Sequence, residues 1–426
     1  MAQDKYPMDT LYSWLIFLSA FMVVFLAFGQ LMTFGIYFVT FSEYFNLDKK
    51  STGLIGAVCF TVTNMIGPLA GVLQRRYGAR VVIMVGGLIS AMGMVGSYFA
   101  ADVWQLYISY GVLVGLGFGL AANPAVSILP EYFERHRYLV TTLLSIGGSL
   151  GTLVLAPFNL FMIETYTWRG SMLINAGLCL QLLIVGAIIK SRCIDRNANL
   201  KELLKVGVFK DCRYVMLLLD GAMFGGTGFV IYATLTDLAI GRGLSAWESA
   251  TLISITSLST TLSRVLAAFL SSIKHLDRIA LYTIMSLSGC ASVLGCVFSY
   301  DFWAFAISLF VFGFSFGIKV SQLVNVIIDL VGVNGIAVGI GYFMFSLGLG
   351  GFVLPLIAGW IADQYGADKA FILMAAAIMA GFCCCCVILI LRRNHSRRLA
   401  QSEKEAVEEE KEALDAGSTI IAPVEG

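Results

Sequence analysis

Val114-Gly-Leu-Gly-Phe-Gly119 returns 198 residues further on as Phe312-Gly-Phe-Ser-Phe-Gly317. Other pairs accompany it. Trp104 matches Trp303, Arg80 matches Arg278, and Ser149-Leu-Gly151 with Pro157 matches Ser346-Leu-Gly348 with Pro355, all at displacements of 197 to 199 residues. Several independent pairs at one displacement make the chain two copies of one unit, joined head to tail.

Outward from the repeat, the sequence is apolar almost throughout. Of 426 residues, 58% are hydrophobic and 13% charged, with a mean hydropathy of +0.84. A soluble domain carries about 25% charged residues, so a water-facing surface is excluded. Glycine is abundant (44) and proline scarce (7), which suits helices packed closely in a bilayer. The 28 basic and 27 acidic residues nearly cancel, so no basic field attracts nucleic acid; the lipid bilayer is the expected surrounding.

Twelve apolar segments reach the roughly 20 residues that a membrane-crossing helix needs. They run over 14–42, 52–73, 81–100, 104–129, 138–162, 170–190, 214–240, 247–271, 279–299, 303–328, 336–361 and 370–391. Their apolar runs are continuous, so they are not strands of a β-barrel. The first is too long for a signal peptide and lacks its basic flank and cleavage site. The expected fold is all-α: twelve transmembrane helices in two six-helix bundles related as parallel repeats, the plan of transporters with a central substrate path. Residues 1–190 form the first bundle, 191–212 a cytoplasmic linker, 213–391 the second bundle, and 392–426 a charged cytoplasmic tail expected to be disordered.

With the N-terminus in the cytoplasm, the inside loops and tails collect 21 of the 28 lysines and arginines. The outside loops collect only Lys49, Lys50, Arg169, Arg242 and Lys369, so both termini are expected inside. None of the ten cysteines falls in an outside loop, so no extracellular disulfide framework is expected. The run Cys383–Cys386 reads either as helix-packing residues or as palmitoylation sites. Phosphate-loop and His-Glu-x-x-His patterns do not occur, and the adjacent cysteines 383–386 on one helix cannot all point at one metal. An enzyme, a metal site, a cofactor and ATP-driven transport are therefore not expected.

Three charges fall inside spans away from the span ends: Asp220 in span 7, Arg264 in span 8 and Lys319 in span 10. A charge in the hydrocarbon core costs roughly 2.5–3.5 kcal/mol on insertion scales, so it usually faces a cavity and acts there. Ser257, Thr260, Thr261 and Arg264 are spaced as one polar stripe on a helix, and a guanidinium matches a carboxylate with paired donors. Two readings stand for Arg264, an anion clamp and an ion pair with Asp220. Lys319 shares a face with Ser315 and Gln322; it reads either as a second positive group of the site and a proton carrier, or as the partner of Asp220. His136, His275 and His395 all fall in cytoplasmic loops, which excludes a histidine relay in the membrane.

The first bundle offers the amides Gln30, Asn64, Asn123 and Asn159, read as interhelical hydrogen bonders ahead of substrate contacts. Asn123, just before Pro124, is the best cavity candidate among them. Gly225-Gly-Thr-Gly228 suggests a break in span 7, where discontinuous helices often form sites.

The loop after span 2, Gly71-Val-Leu-Gln-Arg-Arg-Tyr-Gly-Ala-Arg80, resembles the major facilitator signature Gly-x-Leu-x-Asp-Arg-x-Gly-Arg-Arg. Gly71, Leu73, Arg76, Gly78 and Arg80 match; Arg75 stands in place of the aspartate and Ala79 in place of an arginine. The resemblance makes Gly71, Arg76, Gly78 and Arg80 parts of a cytoplasmic gate whose aspartate latch is differently built. Within that superfamily the chain resembles the monocarboxylate transporters (solute carrier family 16). Asp9-Thr-Leu-Tyr-Ser-Trp14, Tyr132-Phe-Glu-Arg-His-Arg-Tyr-Leu139, Tyr166-Thr-Trp-Arg-Gly170, Asp329-Leu-Val-Gly332 and Pro355-Leu-Ile-Ala-Gly-Trp-Ile-Ala-Asp363 carry the likeness. In Tyr166–Gly170 the family has a glycine where Thr167 stands.

The resemblance implies a major facilitator fold, plasma-membrane placement, and a carboxylate-binding role for Arg264. Proton-coupled members carry an aspartate one turn earlier, here Thr260, and a span 1 lysine, here Gly35 or a neighbour. Some members need a single-span accessory protein. The expected function is secondary-active or facilitative transport of organic anions, monocarboxylates or carboxylate-bearing aromatic compounds, with or without a proton, by rocking alternating access. Arg264, Lys319, Ser257, Thr260, Thr261 and Asn123 are the expected substrate residues, with Asp220 as charge partner. A non-transporting receptor or nutrient sensor on the same scaffold is the alternative.

Overall fold

The structure, a computed structural model, describes residues 8–46, 49–190, 209, 211–271, 273 and 276–418. All regular elements among them are helical. Span 1 comprises Leu11–Met32 and Phe34–Phe45, and span 2 Lys49–Met65 and Gly67–Tyr77. Span 3 is Ala79–Tyr98, and span 4 runs from Val103 to Tyr132 through a π-helical stretch at Tyr107–Val114. Spans 5 and 6 lie within Arg137–Ile188, divided at Thr167. The second half follows with Cys212–Gly241, Ala246–Ser271, Arg278–Phe298, Phe302–Val331 and Ile336–Tyr365, then span 12 at the start of Ala367–Ser418.

The repeated stretch does the same work in both halves. A β-carbon at Gly115 would stand 2.9 Å from the Cys59 carbonyl oxygen, and one at Gly119 would strike Thr63, so span 4 lies backbone-close on span 2. The matching Gly313 and Gly317 bring span 10 equally close to Thr256 and Thr260 of span 8, at 2.5 and 2.6 Å from their carbonyl oxygens. Even the hydrogen bond repeats. The Thr63 hydroxyl donates to Gly115 O at 3.1 Å, and the Thr260 hydroxyl to Gly313 O at 3.2 Å. Small residues allow this approach, and side-chain hydroxyls then bridge the helices.

Buried apolar residues form separate cores within the halves. Ala27, Tyr37, Phe41, Tyr110, Phe118 and Met172 belong to one in the first half; Leu235, Leu309, Phe312, Phe371 and Met374 belong to one in the second. The first half also buries a polar network. Gln30 donates to Asn175 at 2.5 Å, Asn159 to Gln30 and Thr33 at 3.1 Å, and Asn175 to Asn159 at 2.9 Å and Tyr37 at 2.7 Å. Gln30 and Asn159 are thus interhelical bonders, as read from the sequence.

Two expectations are corrected. Span 7 is an unbroken helix, because Gly225 and Gly226 are pressed against the span 11 backbone at Leu347 and Gly350 rather than unwound. The breaks fall instead in span 1 at Thr33 and in span 2 at Ile66, ahead of Pro68, where the axis bends by 43°. Residues 392–418, expected as a disordered tail, continue the last helix to Ser418. Their Ala, Glu, Lys and Leu content is strongly helix-forming. The linker expected over 191–212 lies outside the described residues except at Phe209, Asp211 and Cys212, as does His275.

Candidate functional site at the seam between the halves

The two halves meet along spans 2, 5, 8, 10 and 11. Gly67 and Gly341 touch backbone to backbone: a β-carbon at Gly341 would sit 2.5 Å from Gly67 O, and one at Gly71 2.7 Å from Ala337 O. Beside them runs a ladder of uncharged hydrogen bonds. Thr141 donates to Asn325 at 2.5 Å, Thr142 pairs with Ser271 at 2.8 Å, and Ser145 pairs with Ser321 at 2.7 Å. These contacts lie toward the end of the molecule at which span 1 begins and span 12 finishes, the terminal end. At the opposite end the arginine contacts stay within a half. Arg169 caps Ala100 O at 3.0 Å, and Arg242 binds Ser299 O, Val297 O and Asp368. The seam is closed at the terminal end.

The gate loop has a different latch from the signature's. Gly71 provides the close approach to span 11, and Gly78 turns the chain between spans 2 and 3 with φ 88°. Arg76 and Arg80 are exposed, with Arg76 5.7 Å from the centre of the Tyr77 ring. The charged contact across the seam comes from the second half. Tyr138 OH donates to Asp329 at 2.8 Å, Arg278 stands 3.8 Å from the same carboxylate, and its guanidinium lies 3.5 Å from the Tyr138 ring centre. Arg278, the repeat mate of Arg80, thus takes part in a charged contact between the halves.

At that same end, Asp9 clasps the loop between spans 4 and 5. Its carboxylate accepts from Arg135 N at 3.1 Å and Glu134 N at 3.3 Å, and meets His136 Nδ1 at 3.3 Å. Burial opposes its ionisation, but the Arg135 amide, His136 and the Glu134 amide together outweigh that and hold its pKa below the ordinary value.

Of the three charges within spans, two pair. Lys319 Nζ lies 2.8 Å from Asp220 Oδ1, and Tyr282 OH donates to Asp220 Oδ2 at 2.7 Å. The ammonium also faces the rings of Phe224 and Tyr282, at 4.6 and 4.8 Å. Lys319 and Asp220 are buried among spans 7, 9, 10 and 12. Lys319 therefore does not join the seam, because the nearer carboxylate holds it. Asp220 is likewise not the ion-pair partner of Arg264.

Arg264 does reach the seam. Its Nη1 donates to Ser145 O on span 5 at 2.7 Å, across the boundary between halves. Ser257 and Thr261 lie on its helical face, Ser257 exposed and Thr261 partly so, each bonding its own helix. Thr260 differs from the expectation: its hydroxyl is committed to span 8 and span 10 carbonyls, because it is the packing mate of Thr63.

Asn123 lines a small pocket of about 10 Å³, room for about one water molecule, with Phe28, Thr63, Asn64, Ala122, Val126 and Met344. Phe28 connects that pocket to the arginine. Both approach the open side of Gly148, Phe28 Cβ at 3.4 Å and Arg264 Nη1 at 4.0 Å from where a β-carbon would stand. Asn64, which the sequence offers as an interhelical bonder ahead of a substrate contact, lines the pocket, and Asn175, which it does not single out, is a network hub. Their repeat positions could have distinguished them: Asn64 is the mate of Thr261, on the Arg264 face.

A sequence profile of the Major Facilitator Superfamily matches residues 20–348 and 274–423. Human monocarboxylate transporter 11 is 28% identical over 395 residues, covering 89% of this chain and 83% of the relative. Monocarboxylate transporter 13 of Bos taurus is 28% identical over 390 residues, covering 89% and 90%. Among solved structures, the fold resembles FucP in the outward conformation (TM-score 0.70, 15% identity, covering 88% and 98% of the chains). It resembles the human organic anion transporter MFSD10 equally (TM-score 0.70, 13% identity, 88% and 98%).

Proposed function

Because the chain belongs to the major facilitator superfamily, with monocarboxylate transporters among its relatives, we propose that this multi-pass membrane transporter moves small organic anions. Monocarboxylates and carboxylate-bearing aromatic compounds are the substrate class. The observation that carries the reading is the reach of Arg264 across the seam to Ser145 O. Asp220 and Lys319 neutralise each other, so Arg264 carries the net positive charge of the three. A guanidinium at the boundary between rocking halves can hold a carboxylate in both states and let the surrounding helices change. Ser257 and Thr261 assist on the same face, and Asn123 faces the anion from the other half.

Movement is facilitated and uncoupled from protons. Support comes from Thr260, which occupies the acidic position of coupled relatives and is committed to packing, and from the absence of lysine in the first span. The basic loops support cytoplasmic termini, and the resemblance to monocarboxylate transporters favours a plasma membrane.

Counterflow of labelled carboxylates into proteoliposomes tests the proposal. Arg264→Ala should abolish saturable flux while the protein remains folded and inserted, and Arg264→Lys should retain a fraction of it. Unchanged flux in Arg264→Ala would make the arginine structural. Binding without flux in the native protein would favour a sensor. An imposed pH gradient should leave initial rates unchanged; acceleration would establish coupling.

A further inference from the structure

The start of span 5 is held by a contact that a proton can change. His136 is the N-cap residue of that helix, and its Nδ1 meets Asp9 Oδ1 at 3.3 Å. Asp9 directly precedes Thr10, the N-cap of span 1. It takes φ 57°, which aspartate tolerates better than most residues, and its own amide donates to Tyr132 O at 3.2 Å. With the Glu134 and Arg135 amides on its other carboxylate oxygen, Asp9 fastens the turn from Tyr132 to His136 onto the mouth of span 1.

The seam depends on that turn. The first turns of span 5 carry the first-half partner of each rung: Tyr138 to Asp329, Thr141 to Asn325, Thr142 to Ser271 and Ser145 to Ser321. Ser145 O also receives Arg264. Helix ends fray unless they are fastened, so a loosened His136 unseats these rungs from Tyr138 onward.

Charge decides how firmly the turn is held. Glu134 and Arg135 are exposed, and Arg137 is engaged with Pro130 O and Phe133 O at 3.2 and 3.0 Å. From span 1 the Trp14 ring centre lies 6.3 Å from the imidazole, while Arg278 and Asp329 of spans 9 and 10 engage Tyr138. Asp9 is thus the charged group in contact with His136 among the described residues. An imidazole changes its charge between about pH 5 and 8. A positive charge at a helix N-terminus is unfavourable by itself, so a protonated ring there needs the Asp9 carboxylate.

We propose that His136 and Asp9 form a proton-sensitive fastener, which adjusts closure of the terminal end to the pH of the solution on that side. At the acid end of the imidazole range the charged pair tightens the turn and favours the closed seam. As pH rises the ring loses its charge, and the clasp keeps only its amide bonds. No proton crosses the membrane in this device. It rests on closure of the terminal end and not on which solute is carried.

Alkylation of Ala337→Cys by a membrane-impermeant maleimide tests it, applied from the terminal side without cargo and at equal pH on both faces. Each rate is divided by that measured with His136→Arg at the same pH. The arginine is charged throughout, and the division cancels the pH dependence of thiol alkylation itself. From about pH 5.5 to about pH 8, the ratio should rise about 2- to 5-fold, the worth of one part-exposed ion pair. His136→Gln should hold the high-pH ratio throughout, which separates His136 from His275 and His395. Asp9→Asn keeps an acceptor for the two amides and should remove the rise. A flat ratio with His136 in place overturns the proposal, as does a rise that survives in His136→Gln. Coupled transport is tested apart, by holding the terminal face at one pH and imposing the gradient from the opposite face. A change in flux there reports coupling and leaves the fastener standing.

Discussion

Thr167 holds φ 64° and ψ 170°, a region that in practice only glycine occupies. It divides spans 5 and 6, and its repeat mate Gly366 takes φ 89° between spans 11 and 12. The fold imposes the same turn on both halves, and only the second half has the residue for it. Such strain costs about 1–3 kcal/mol, against about 0.5–1 kcal/mol for the added freedom of an unfolded glycine. Thr167→Gly should therefore stabilise the protein by about 1 kcal/mol and raise its melting temperature in detergent. The buried pair tests the opposite case. Lys319→Met leaves Asp220 as an uncompensated buried charge and should cost about 3–5 kcal/mol. The double variant Asp220→Leu/Lys319→Met should recover most of that loss and keep anion flux; loss of flux in a stable double variant would give the pair a part in transport. Arg264 was legible from the polar spacing of its helix. The partner of Asp220 was narrowed only to Arg264 or Lys319, because spacing along one helix does not say which of two neighbouring helices a side chain faces.

Elements meet here through backbone more than through side chains. Gly67 and Gly341 face each other across the boundary with no room for a methyl group on either. Gly67→Ala should leave each half intact and disfavour the closed terminal end, read as faster labelling of a cysteine at position 337 by a membrane-impermeant reagent applied to that side. The clasp of Asp9 adds a pH dependence. Its folded pKa is lowered, so its stabilisation is full above the unfolded value near 3.9 and fades as pH falls through the folded one. Melting temperature should drop over that acid range, and Asp9→Asn should flatten the part due to the clasp. The repeat of Val114–Gly119 made six helices per half legible, since glycines four apart with a matching threonine in the neighbouring helix define one packing unit. The position of the breaks was less so. Gly225–Gly228 reads as a weak point, yet those glycines serve close packing, while Thr33 breaks span 1 with no proline to announce it.

Across the whole molecule, a charged cluster among the described residues helps hold one end, with Asp329 and Arg278 from the second half and Tyr138 from the first. In the signature loop of the first half the aspartate position is held by Arg75. Asp329→Asn should loosen the cluster and raise accessibility from the terminal end, whereas Arg76→Ala, on an exposed side chain, should change it little. This arrangement was only half legible: the missing aspartate is plain in the sequence, but the Asp329 cluster appears only when spans 5, 9 and 10 come together. The rest of the closure is the ladder of hydroxyls and amides, Thr141–Asn325, Thr142–Ser271 and Ser145–Ser321. Neutral bonds of this kind are worth about 0.5–1.5 kcal/mol each and are readily traded for bonds to water. On the proposed rocking of the halves, the unloaded protein should complete the return leg of its cycle without cargo. Accumulated solute on the far side should then accelerate uptake only modestly, and net filling of empty vesicles should run at a rate close to that of one-for-one exchange.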